Sequence, residues 1–145
     1  RISSKIGYEF QKFLEYKPCS VFYAPFDVRL EQTKNDKKVF TVVQPDISII
    51  CDESKIDERG CVGAPDVVVE ILSPGNSTKE MKNKFDLYQE AGVLEYLIVQ
   101  PADNTILQYQ LLNGQYVNYR PLTIEDSLKS TVLTGFEVPL KKVFS

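Results

Sequence analysis

The chain has no histidine, only three cysteines in 145 residues, and no apolar run approaching the roughly 20 residues of a membrane span. Without imidazole, serine–histidine and cysteine–histidine hydrolysis and histidine-ligated zinc are excluded as single-chain mechanisms. Acid–base or metal chemistry must then rest on carboxylates, lysine, tyrosine or cysteine. Cys19, Cys51 and Cys61 form no C-x-x-C pair, which argues against a zinc ribbon. Their odd, sparse count points to free thiols in a reducing compartment. No signal-peptide pattern opens the chain, so it reads as cytoplasmic. It begins at Arg1 instead of methionine, and further residues are expected before it. Excess positive charge is also lacking: 17 basic side chains face 20 acidic ones, a net charge of −3. A protein that grips nucleic acid by bulk charge is excluded, a local basic groove is not.

What is present suits one ordinary domain over residues 1–145. The composition is 43% hydrophobic and 11% aromatic, too rich in core formers for a disordered chain. Ile2, Ile6, Phe10, Phe13 and Leu14 recur at helical spacing, and Pro18 stops that first helix. Residues 19–31 switch to alternation, with Val28 and Leu30 between Asp27, Arg29 and Glu31, the pattern of a half-buried strand. Glu31 to Lys38 reads as a polar loop. A strand follows Pro45, residues 52–65 form a longer loop, and Val67-Val-Val-Glu-Ile-Leu72 has the unbroken apolar character of a strand covered on both faces. Ser77 with Glu80 makes a capping box for a second helix, striped by Met81, Phe85 and Tyr88 and closed by Gly92. Residues 95–99 form another strand. Thr105–Leu111 and Gln115–Tyr119 then read as a hairpin about Asn113-Gly114. The tail from Thr131 to Phe144 reads as short edge structure. The order of elements predicts an α/β domain with a mixed central sheet flanked by helices.

Glu70 is the most informative residue. A carboxylate inside a doubly covered strand costs several kcal/mol unless it is paired, protonated or bound to a metal. A structural ion pair with a buried cation is the competing explanation. Asp46 follows Pro45 at the start of an apolar strand, where a turn role would explain it equally well. Together, two carboxylates on neighbouring strands would make a hard oxygen site for Mg2+ or Mn2+. Lys84 lies four residues after Glu80 and four before Tyr88. It is either half of a Glu80–Lys84 surface pair or a cation that reaches over the metal site. Glu9, flanking the apolar stripe of the first helix, is a possible accessory carboxylate. Asp66 after Pro65 reads as a strand start, and Tyr88 as core packing.

Gln44-Pro-Asp-Ile-Ser-Ile-Ile50, Gly63-Ala-Pro-Asp-Val-Val-Val-Glu-Ile-Leu-Ser-Pro74 and Lys84-x-x-x-Tyr88-x-x-Ala-Gly-Val-x-Glu-Tyr96 resemble a large bacterial family of restriction endonuclease-like proteins in the PD-(D/E)XK nuclease superfamily. The resemblance covers nearly the whole chain. It implies a restriction endonuclease-like fold, with Asp46 as the acid of the Pro-Asp motif and Glu70 as the acid of the (D/E)XK motif, both holding Mg2+. One departure matters. The superfamily lysine belongs two residues after Glu70, where this chain has Leu72, and the resemblance moves that role to Lys84 on the following helix. Milder departures are Glu80 where Asp is common, Leu97 where Trp is common, and Gln100 where Asp usually precedes the proline.

The expected function is metal-dependent hydrolysis of DNA phosphodiester bonds, with Asp46 and Glu70 as Mg2+ or Mn2+ ligands and Lys84 assisting. A homodimer would serve an enzyme that cuts both strands. The alternative is a non-catalytic regulatory or interaction module retaining the fold, favoured by the acidic balance and the displaced lysine. Convergence or scatter of Asp46, Glu70 and Lys84 discriminates the two.

Overall fold

The computed structural model describes residues Arg1 to Ser145. In chain order the elements are α1 (Ile2–Leu14), β1 (Ser20–Tyr23), β2 (Asp27–Lys34), β3 (Lys37–Val43), β4 (Ile47–Ile50), a 3-10 turn (Glu53–Lys55), β5 (Ile56–Asp57), β6 (Gly60–Val62), β7 (Val67–Ile71), α2 (Thr78–Ala91), β8 (Glu95–Gln100), β9 (Thr105–Leu112), β10 (Gln115–Asn118), β11 (Ser127–Lys129), β12 (Glu137–Pro139) and α3 (Leu140–Phe144). The central sheet runs β1-β4-β7-β8-β9-β10. Only β7 and β8 are parallel within it, and α2 is the crossover that joins them. The sheet is therefore mixed and flanked by helices, as the sequence predicts. No helix is long and apolar enough to cross a membrane.

Each face of the sheet is sealed by its own core. On one face Ile47, Ile49, Val67 and Val69 meet Ile6 and Phe10 of α1 and Leu140 and Val143 of α3. On the other, Ile50, Val68, Tyr96 and Ile98 meet Leu87 and Tyr88 of α2 together with Val28 and Leu30 of β2. Alternation along β7 thus sends Val67 and Val69 one way and Val68 and Glu70 the other, which explains an apolar run without a polar face. Gly7 lets α1 settle directly on β1, because an added Cβ would collide with the ring of Tyr23.

Several elements differ from the sequence expectations. The segment read as a polar loop is an antiparallel hairpin: β2 and β3 pair from Val28↔Val43 to Lys34↔Lys37 about an Asn35-Asp36 turn with φ of 51° and 62°. Asn and Asp tolerate this left-handed conformation without glycine. The hairpin belongs to a second sheet, β3-β2-β6-β5, whose last two strands occupy what was read as the 52–65 loop. The tail is short edge structure only in part: β12 pairs with β11 in a two-stranded sheet, and a helix follows. Its α3 places Leu140 and Val143 fully inside the core. Nor are all three thiols free. The β1–β4 register, Ser20↔Ile50, sets Cys19 opposite Cys51 one step further on, and the two form a disulfide, leaving Cys61 as the one free, buried thiol. The cysteine count alone therefore does not argue for a reducing compartment.

The C-terminal segment is tied down by a second buried acid. Glu95 opens β8 with no solvent exposure. Its carboxylate accepts hydrogen bonds from Ser130 Oγ (2.6 Å), Thr131 N (2.9 Å), Thr131 Oγ1 (3.0 Å) and Gln108 Nε2 (2.9 Å). Gln108 is buried and Ser130 and Thr131 are half-buried, so losing the carboxylate leaves several donors poorly satisfied. Glu95→Ala is expected to cost about 3 kcal/mol, a Tm fall of about 10 °C for a chain of this size, measured by thermal denaturation. A fall of only a degree or two would show the segment to be held by its apolar contacts alone.

Candidate active site

The antiparallel register of β4 with β7 pairs Ile47 with Val69, so one step outward sets Asp46 beside Glu70. Side chains so paired lie on one face with Cβ atoms about 5 Å apart. Asp46 is half-buried, and its Oδ2 accepts the amide of Ile71 at 2.7 Å, which fixes the aspartate against the end of β7. Glu70 is 6% exposed. Its Oε2 accepts the Tyr88 hydroxyl at 2.6 Å and lies 3.2 Å from Lys84 Nζ. Lys84 and Tyr88 are one helical turn apart on α2, so one stripe of the helix clamps one carboxylate oxygen. The start of α2 is fixed by the expected cap: Ser77 Oγ accepts the Glu80 amide at 3.1 Å.

Burial pushes the Glu70 carboxyl above its ordinary value. The Tyr88 hydrogen bond and the Lys84 charge pull the other way, and the nearby Asp46 charge adds a smaller upward push. Burial first, and the Glu70 charge second, likewise raise Tyr88, which is a fixed donor. Asp46, Glu70 and Lys84 line one cavity of about 240 Å3, with Leu72, Glu80 and Tyr96 also in its wall. Leu72 occupies the strand position where the superfamily places its lysine. Lys84 enters the same cavity from the helix above.

Three of the four expected site residues therefore converge. Glu9 does not join them: α1 packs on the opposite face of the sheet, and Glu9 pairs with Lys12 at 3.2 Å. Lys84 pairs with Glu70 and not with Glu80, whose carboxylate receives the Ser77 hydroxyl. Tyr88 is core, as read, yet it is also a partner of the acid; its spacing from Lys84 was the available signal. Tyr96 and Glu80 in the cavity wall were not singled out. Asp66 holds the Cys51 amide at 2.8 Å and has a structural role.

A mixed α/β sheet with a helix crossing between two parallel strands, and acidic side chains at its strand ends, is the restriction endonuclease-like class of fold. Residues 1–141 match the family described as "Uma2: Putative restriction endonuclease", and the chain belongs to that family. Among solved structures it is similar to one described as "a putative nuclease belonging to DUF820" from Anabaena variabilis, with a TM-score of 0.71 at 18% identity, over 99% of this chain and 78% of that one. At that identity the likeness is one of fold. No curated protein matches the chain significantly.

The raised Glu70 carboxyl has a signed consequence. The folded chain holds that proton more tightly than the unfolded chain, so the associated stability is fully present below the ordinary value of 4.5 and is lost as pH rises through the raised one. Glu70→Gln keeps an acceptor for Tyr88 and removes the titration. In metal-free buffer its Tm relative to the unsubstituted protein should improve as pH rises above 4.5 and through the raised value. A pH-independent difference in calorimetry would show that the carboxyl is not shifted.

Proposed function

We propose that this chain is a divalent-metal-dependent endonuclease that hydrolyses phosphodiester bonds of DNA at the Asp46–Glu70–Lys84 cavity. One observation carries the reading: two acids and a lysine from three separate elements meet in one cavity, and each acid keeps an oxygen free of protein partners. Asp46 uses Oδ2 and Glu70 uses Oε2, which leaves Asp46 Oδ1 and Glu70 Oε1.

The donor set fits a hard cation. Burial is what chiefly raises Glu70, and two carboxylates facing a single lysine leave the cavity short of positive charge, with the Asp46 charge adding a smaller push. No cluster of three or more His, Cys, Asp or Glu side chains exists, so a cation here would complete its shell with water and phosphate oxygens. That is the usual situation of Mg2+, which binds through one or two carboxylates and keeps several waters. Asp46 and Glu70 would hold it, and when bound it supplies Lewis-acid polarisation and a lowered pKa for water. Lys84 places a fixed positive charge where negative charge grows on the phosphoryl oxygens. Tyr88 and Lys84 hold Glu70 in one orientation, so none is spent on reorganising it during the reaction. Water adds to phosphorus as one P–O ester bond breaks, giving a phosphate monoester and a free hydroxyl.

The surroundings of the cavity suit a polymer cut internally. Glu80 and Lys84 also line a neighbouring groove of about 490 Å3 bordered by Lys34, Thr41 and Asn83. Leu72 and Ser73 also line another, of about 520 Å3, along Pro74 and Pro101. The β2–β3 hairpin lines the first of these grooves, supplying local contacts in a chain of net negative charge. Cutting both strands of a duplex would take two copies, hence a homodimer.

The test is nicking of supercoiled plasmid with Mg2+ or Mn2+. Nicking is expected to disappear in Asp46→Ala and Glu70→Ala together with Mn2+ binding. Lys84→Ala should cut about a hundredfold more slowly with Mn2+ affinity within about twofold of the unsubstituted protein. Mn2+ binding without any nicking would favour the non-catalytic module. Nicking that survives both acid substitutions would remove this cavity from the reaction.

A further inference from the structure

Tyr96 stands on β8 opposite Val68, two residues before the position that pairs with Glu70. In a parallel ladder this puts Tyr96 and Glu70 on the same face of the sheet. Its ring meets Tyr88 edge-on with centroids 4.9 Å apart and lies 6.0 Å from both Tyr109 and Tyr116. The residue is only 2% exposed, yet it lines the cavity that holds Asp46, Glu70 and Lys84. Two of its neighbours' hydroxyls are committed, Tyr88 to Glu70 and Tyr116 to the Val93 carbonyl. The Tyr96 hydroxyl has no protein partner. The fully enclosed side-chain atoms without partners are Arg29 Nε and Ser48 Oγ. Tyr96 is not among them, so its hydroxyl is not sealed in the core, and the residue lines the cavity.

A phenol buried to this extent is costly unless its O–H finds an acceptor. Burial, and then the Glu70 charge, raise its proton affinity, so the group keeps its proton and can donate it in a hydrogen bond. Glu70 Oε2 is already filled by Tyr88 and Lys84, and the Tyr96 hydroxyl bonds neither free acid oxygen. An occupant of the cavity can supply the missing acceptor. The surrounding rings fix the phenol in place, which is the preorganisation a donor needs to act on developing charge.

We propose that Tyr96 is a further substrate-contacting residue of this site, its hydroxyl donating to a non-bridging oxygen of the phosphodiester bound beside Asp46, Glu70 and Lys84. The proposal rests on the nuclease reading and adds a neutral donor to it. Tyr96 neither gives up its proton nor forms a bond. It stabilises the phosphoryl oxygen as charge accumulates there, without adding positive charge that would compete with a cation.

The test is Tyr96→Phe, which removes one oxygen and keeps the ring. Affinity for a fluorescent DNA oligonucleotide, measured with Ca2+ in place of Mg2+, is expected to fall about tenfold, and kcat for cleavage with Mg2+ by at least another tenfold. Mn2+ affinity and Tm should stay within error, which separates a substrate contact from a structural role. Tyr109→Phe, in the same ring cluster but outside the cavity wall, should alter neither affinity nor kcat. Tyr96→Phe that binds and cuts within twofold of an active unsubstituted protein overturns the proposal alone, the hydroxyl then serving only a cavity water. Unsubstituted protein that neither binds nor cuts the oligonucleotide overturns the nuclease reading and this proposal with it.

Discussion

The structure depends on a carboxylate held where it should be least comfortable. Glu70 is the penultimate residue of β7, one of the two parallel strands at the centre of the sheet, and is covered by α2. Its Oε2 takes both the Tyr88 hydroxyl and the Lys84 ammonium. Those two contacts fix the rotation of α2 about its own axis, since only one stripe of a helix can face one oxygen. With that rotation set, Leu87 and Tyr88 enter the core beside Val68 and Ile98. The same clamp positions the acid against Asp46, which the Ile71 amide holds from the neighbouring strand. Packing and chemistry share a single set of contacts here.

Much of this was legible. The run Val67 to Leu72 announces a buried strand and marks Glu70 as anomalous within it. The Ser77–Glu80 box locates the start of α2, and the four-residue step from Lys84 to Tyr88 puts both on one side. These are local signals, each contained within a few residues. What escaped depends on register between distant segments. Nothing near Cys19 says that Cys51 will stand opposite it. Asn35-Asp36 carries no glycine, so a hairpin turn there is indistinguishable from charged loop until β3 is seen to pair with β2. The tail escaped because α3 is only five residues long, and its core contacts come from α1 and not from its own periodicity.

The displaced lysine is, in its placement, a substitution of geometry. A strand residue two places after Glu70 shares its face, and Leu72 accordingly lines the cavity. Lys84 brings its ammonium to within 3.2 Å of Glu70 from above the same space, with its side chain still 38% exposed. A helix-borne lysine has a longer, more hydrated approach than a strand-borne one would have. It pairs with Glu70 from outside the strand, at the mouth of the cavity. Leu72 in turn keeps the floor apolar and leaves the acids without a second fixed cation.

That shortage of positive charge explains why phenols, and not further lysines, surround Glu70. Two acids with one lysine leave a net negative cavity, and a low-dielectric surrounding magnifies the deficit. A second ammonium in place of Tyr88 would neutralise the pair and remove the reason for a divalent cation to bind. A hydroxyl orients the carboxylate without cancelling its charge, and burial keeps it protonated in that role. Tyr96 extends the same logic to the far side of the acid, where an unspent donor faces the cavity. The absence of histidine fits this design: a neutral imidazole could donate as well, but near neutral pH it would also gain charge. Tyrosine donors add no charge of their own near neutral pH, so the carboxyl of Glu70, raised by burial, is the group whose protonation changes the charge of the cavity.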